Sequence, residues 1–161
     1  MAIGAKTTWL GRSGSLLALG GVALGLAGCG GGGSLSHAQF VSRADAECRA
    51  TNARIAALPT PSNLKGLASY ATGTRSATAQ LRQALGALET PKSDQPALGR
   101  YLAALDQGNA ILVRISTAAA AGESATVSSL GKALATLPTS SLASKAGLPT
   151  CAADTGSNTT G

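Results

Sequence analysis

Between Leu35 and Cys151 apolar residues recur at three- and four-residue spacing, broken at intervals by proline and glycine. That period is helical. Ser36-His37-Ala38-Gln39 fits a capping box, in which the Ser36 hydroxyl accepts from the Gln39 amide and the Gln39 side chain reaches back. Leu35 and Phe40 stand where a hydrophobic staple belongs. A first helix then runs to about Leu58, where Pro59 and Pro61 stop it. Its inward stripe is Phe40, Ala44, Cys48, Thr51, Ile55 and Leu58.

A second helix from about Ser62 carries an unbroken seam of Leu64, Leu67, Ala71, Thr74, Thr78, Leu81, Leu85 and Leu88, ending before Pro91. Its middle is small and polar, a gap at Thr74 and Thr78. Ser93 or Asp94 caps a third helix with Pro96 in its first turn. Leu98, Tyr101, Leu105, Leu112, Ile115 and Ala119 form its buried face, and Gly122 its stop. A fourth, capped by Ser124, presents Val127, Leu130, Leu134 and Leu137 up to Pro138. A short last helix from about Ser140 ends at Gly147, and Leu148-Pro149-Thr150-Cys151 follows. The fold expected over residues 36–153 is all-α: an up-and-down bundle of about four helices plus a short C-terminal helix. Leu-Pro-Thr at 58, 137 and 148 reads as repeated helix punctuation, not as a domain repeat.

The first 28 residues change the picture, because they read as an export signal and fall outside fold reasoning. Lys6 and Arg12 form a positive start, and Leu16 to Leu26 a glycine-broken apolar stretch. Ser13 to Gly28 is about 16 residues, short of the roughly 20 that a bilayer-spanning helix needs. Leu26-Ala27-Gly28-Cys29 resembles the bacterial lipobox, which implies cleavage before Cys29 and acylation of its thiol. An ordinary signal peptide cut elsewhere is the rival reading. Several acyl chains anchor durably where one binds marginally. Residues 29–35, rich in glycine, form a tether, and residues 154–161 a small, polar, disordered tail.

Cleavage also alters the charge. The whole chain carries +6, but losing Lys6 and Arg12 leaves eleven basic and seven acidic residues, a net of +4. The remaining basic residues are scattered and aromatics are 2% of the chain, so no nucleic-acid surface is expected. With Cys29 acylated, Cys48 and Cys151 remain, and an even pair in an exported domain forms one disulfide. Alanines number 33, so the helices approach closely but bury little area each, and a covalent staple compensates for a thin core.

Reactive constellations are not evident. His37, the single histidine, sits in a first turn beside the tether and reads as solvated. No cluster has metal-ligand spacing, no strand precedes a glycine-rich phosphate loop, and no cofactor is implied. Asp45 with Arg49, and Glu47 with Arg43, stand at i,i+4 and suit exposed ion pairs. Asp106, near Asn109 and one turn from Tyr101, either lines a ligand cavity or lies on an exposed flank, the second being the default.

Two stretches carry a resemblance. Phe40-Val41-Ser42-Arg43-Ala44-Asp45-Ala46-Glu47-Cys48 and the closing Gly147-Leu148-Pro149-Thr150-Cys151 are similar to small exported actinobacterial lipoproteins, whose Ala-rich helical domain is bracketed by two cysteines. The resemblance implies the fold and a location on the extracytoplasmic face of the cell membrane; no catalytic residue comes with it. The resulting expectation is a lipid-anchored, non-enzymatic binding or scaffold module with a cell-wall or protein partner. The alternative is a carrier or sensor of a small apolar ligand held between the helices.

Overall fold

The computed structural model describes residues 35–153; residues 1–34, on which the expected export signal and Cys29 fall, and residues 154–161 lie outside them. The described residues form six helices and no strand: α1 His37–Ala56, α2 Leu64–Ala87, α3 Gln95–Ala120, α4 Ser124–Ala135, α5 Thr139–Lys145 and α6 Pro149–Ala153. The long antiparallel pair α2–α3 is the spine. Short loops return α1 onto α2 and α4 onto α3, while α5 packs on α3 and α6 on α1. The helical bundle is therefore as the periodicity predicts. The closing Pro149–Ala153 segment adds a turn of helix that the sequence reading treats as plain chain.

Local chemistry accounts for the boundaries. Ser36 and Gln39 make both bonds of the capping box, and Leu35 joins the cluster that holds Phe40. α2 is capped by Asn63, whose side chain accepts from the Gly66 amide at 2.8 Å, so it begins two residues after Ser62. Gly122 and Gly147 have φ of +78° and +73°. Each closes its helix with paired backbone bonds: Gly122 N–H to Ala119 O with Glu123 N–H to Ala118 O, and Gly147 N–H to Ser144 O with Leu148 N–H to Ala143 O. A left-handed residue is needed there, and glycine takes it without a Cβ clash.

Three polar expectations are corrected. Asp94 stands at the N-cap position of α3 but its side chain makes no capping bond; the carboxylate is taken up by His37 and Ser93 instead. Ser124 is the first helical residue of α4 rather than its cap. The ion pairs among the described residues include neither Asp45–Arg49 nor Glu47–Arg43. Asp45 turns inward, its Oδ1 accepting from the Thr150 amide of α6 at 3.3 Å. An exposed i,i+4 pair contributes a few tenths of a kcal/mol. A carboxylate on an orphan N–H at a helix start typically does more, because bond and dipole act together.

The core is in two parts. One cluster unites Phe40, Ala44 and Cys48 of α1 with Leu81 and Leu85 of α2, Leu98, Tyr101 and Leu105 of α3, and Leu148 and Cys151 near the end. The other unites Ala71, Leu112, Ile115, Ala118 and Leu130. Of the four residues expected to face inward on α4, Leu130 is fully buried and Val127, Leu134 and Leu137 are half-buried, because α4 covers one end of the spine. Leu58 folds back so closely on Gly73 that a Cβ there would lie 2.7 Å from its side chain.

Tyr101 is 2% exposed, and burial pushes its phenol up to about 12 from an ordinary value near 10. The folded state thus holds the neutral form. This contribution is complete below pH 10 and is lost as pH rises from 10 through 12, by roughly 2–3 kcal/mol in total. Urea midpoints are expected to hold steady up to about pH 9.5 and to fall above 10. Tyr101→Phe should remove that part of the fall; an unchanged alkaline profile in the variant would contradict the assignment.

Candidate functional site

Cys48 and Cys151 form a disulfide, with Cα atoms 5.2 Å apart and a sequence separation of 103. Both are buried, at 0% and 5% exposure. Cys48 reaches its partner because it sits on the inward stripe of α1, and Cys151 because Gly147 and Leu148 turn the chain back over that stripe. Asp45, one turn earlier on α1, holds the same returning segment by its backbone. Cys29, the expected lipidation site, lies outside the described residues.

His37 is exposed, as the sequence reading has it, but it is not without a partner. Its Nδ1 lies 2.8 Å from Asp94 Oδ2, and the Cε1–Nε2 edge faces Gly147, where an added Cβ would come within 3.4 Å of the ring. One side chain thereby touches the start of α3 and the corner between α5 and α6. His37 and Asp94 are separated by 57 in sequence, so no local spacing points to the contact. Its evident work is positioning at the end of the bundle.

Asp106 does not line a cavity. It is an exposed flank residue held by Arg82, with Nε 3.1 and 3.3 Å from its two oxygens and Nη2 at 3.2 Å. No group of three or more His, Cys, Asp or Glu able to hold a metal ion occurs among the described residues.

Thr74 and Thr78 are both half-buried on α2. The contacts Thr72–Ser116 and Arg82–Asp106 set the antiparallel register of α2 and α3, which brings Asn109 opposite the turn carrying Thr78. Thr51 is buried on α1, one turn beyond Cys48. Thr78 Oγ1 returns its proton to Thr74 O at 2.9 Å. Thr51 Oγ1, Thr74 Oγ1 and Asn109 Oδ1 are buried without a hydrogen-bond partner. Buried oxygens without partners typically cost about 1–3 kcal/mol each.

A concave site opens between α2 and α3. It encloses about 250 Å³ and is lined by Thr72, Arg75, Leu112, Val113, Ser116 and Thr117. The sequence reading misses these residues, since they lie beside the apolar seam rather than on it. The signal was the charge distribution: α2 holds Lys65, Arg75 and Arg82 and no carboxylate.

No family model, no curated protein and no solved structure matches this chain.

Proposed function

We propose that this chain is a lipoprotein anchored at the extracytoplasmic face of the cell membrane, a non-enzymatic helical module that binds or scaffolds a protein or wall component. The observation that carries the reading is how the cysteines divide. Two of the three close the bundle as a buried disulfide, a bond that persists in oxidising compartments. The third stands in Leu26-Ala27-Gly28-Cys29, ahead of a glycine tether. The positive balance left after cleavage suits an anionic membrane surface or wall polymer.

Cys29→Ala is expected to shift the protein from the membrane fraction to soluble or uncleaved forms, with loss of the acyl mass in the intact-mass spectrum. Unchanged acylation and membrane partition would defeat the assignment.

A second reading, a carrier or sensor of a small apolar ligand, has one observation in its favour. Thr51, Thr74 and Asn109 leave buried oxygens without partners on α1, α2 and α3, which lowers the cost of parting those helices. Thermal unfolding unaffected by a broad lipid and metabolite panel would count against it.

A further inference from the structure

We propose that the α2–α3 groove binds an amphiphilic organic anion, its carboxylate or phosphate on the Arg75 guanidinium and its hydrocarbon on Leu112 and Val113. The inference concerns different residues from Thr51, Thr74 and Asn109, and it does not rest on the anchor.

Charge is the first ground. α2 contains no carboxylate, and α3 contains Asp106 alone, which Arg82 engages through three contacts. The other ion pair among the described residues is His37–Asp94, so Arg75 has no carboxylate of its own. Lys65, Arg100 and Arg114 add positive charge to the same two helices with no acid to offset it. The two helices that form the groove hold five basic residues and one acid, a net of +4.

The apolar surface is the second. Val113 is a large hydrophobic residue left 45% exposed, and it lies in this groove beside the nearly buried Leu112. A lone exposed valine needs no explanation. Placed in a concavity next to an unpaired guanidinium, it gives the groove a hydrocarbon wall and a charged wall together. That pairing fits a ligand whose own ends differ in the same way.

The third ground is preformation. Thr72 Oγ1 and Ser116 Oγ lie 2.9 Å apart, and both reach the Ala68 carbonyl, at 2.9 and 3.1 Å. Thr117 Oγ1 donates to Val113 O at 3.1 Å. The hydroxyl wall is thus fixed to backbone, which leaves Arg75 as the free donor that orients the anion. A volume of about 250 Å³ is below that of a drug-sized pocket. It holds a charged head and a short length of chain, with the rest lying along the helices.

The test is photolabelling of the full chain as recovered from its cells, in phosphatidylcholine nanodiscs if it partitions with membranes and in buffer if it does not. The probes are a medium-chain diazirine carboxylate and the alcohol of the same skeleton, with labelled peptides mapped by mass spectrometry. The carboxylate is expected to label Leu112–Thr117 roughly five-fold more than the alcohol, the scale of one exposed ionic contact. Arg75→Gln should remove that preference, and Val113→Ser should weaken labelling by both probes; both positions are exposed, so the melting temperature should hold. Equal labelling by the two probes, a preference that survives Arg75→Gln, or labelling centred elsewhere would overturn the proposal. Replacing part of the phosphatidylcholine with phosphatidylglycerol identifies the source. Loss of groove labelling assigns the site to a membrane lipid headgroup, and unchanged labelling assigns it to a free amphiphile, each consistent with an anionic-amphiphile site.

Discussion

Removing the Cys48–Cys151 disulfide lowers the unfolding free energy by about 4–5 kcal/mol, because it releases a loop on the order of 100 residues in the unfolded chain. Against a typical total of about 5–15 kcal/mol, that is about a quarter or more of the stability of a small domain. The core explains why so much rests on one bond. Its α1 face is Phe40, Ala44, Cys48 and Thr51, of which one residue is large. The expected result is a melting temperature lower by on the order of 15–20 °C in Cys48→Ala, or in the native chain under reductant. Circular dichroism melts with and without reductant decide it. Equal melting would show that the bond carries no such load.

Phe40→Ala is expected to cost about 3–5 kcal/mol, the range for emptying a fully buried aromatic site. Phe40 is 0% exposed and is the sole phenylalanine of the chain. It shares its cluster with both disulfide cysteines, with Tyr101 and with Leu148. The smaller neighbours, Ala44, Ala143 and Ala146, have no side-chain length with which to refill the space. Denaturant titration measures the loss directly; a cost below about 1 kcal/mol would mean the site collapses freely. Because Phe40 and Cys48 share that cluster, the cost of losing both is not expected to equal the two single costs added together.

Much of this fold is legible in the chain. The 3-4 spacing, the capping box at Ser36 and the glycines at 122 and 147 are local signals, and each sets its element. Cys48 falling on the inward stripe of α1 is local too, which is why the staple can be anticipated. What escapes is long-range choice by polar side chains. Asp45 has Arg49 one turn away yet bonds Thr150 at a distance of 105 positions, and Asp94 leaves its own helix start for His37. A spacing rule sees the nearby partner and not the one that folding delivers. The groove is illegible for a related reason. Thr72 and Ser116 meet through the register of two helices, 44 positions apart, and neither lies on an apolar seam.

The staple also sets how the domain bears load. A pull applied between the chain ahead of Ser36 and the chain beyond Ala153 enters Cys48 and leaves at Cys151, passing through a covalent bond instead of through the helices between them. The spine α2–α3, both ends of its seam, and α4 are enclosed in that loop and feel no tension. Residues 36–47 are the part that can be drawn out, a contour of about 40 Å, and they start at the capping box and the His37–Asp94 contact. Under tension the domain therefore behaves as a short extensible leader in series with a stiff body. The groove on α2 and α3 lies within the part that is never stretched.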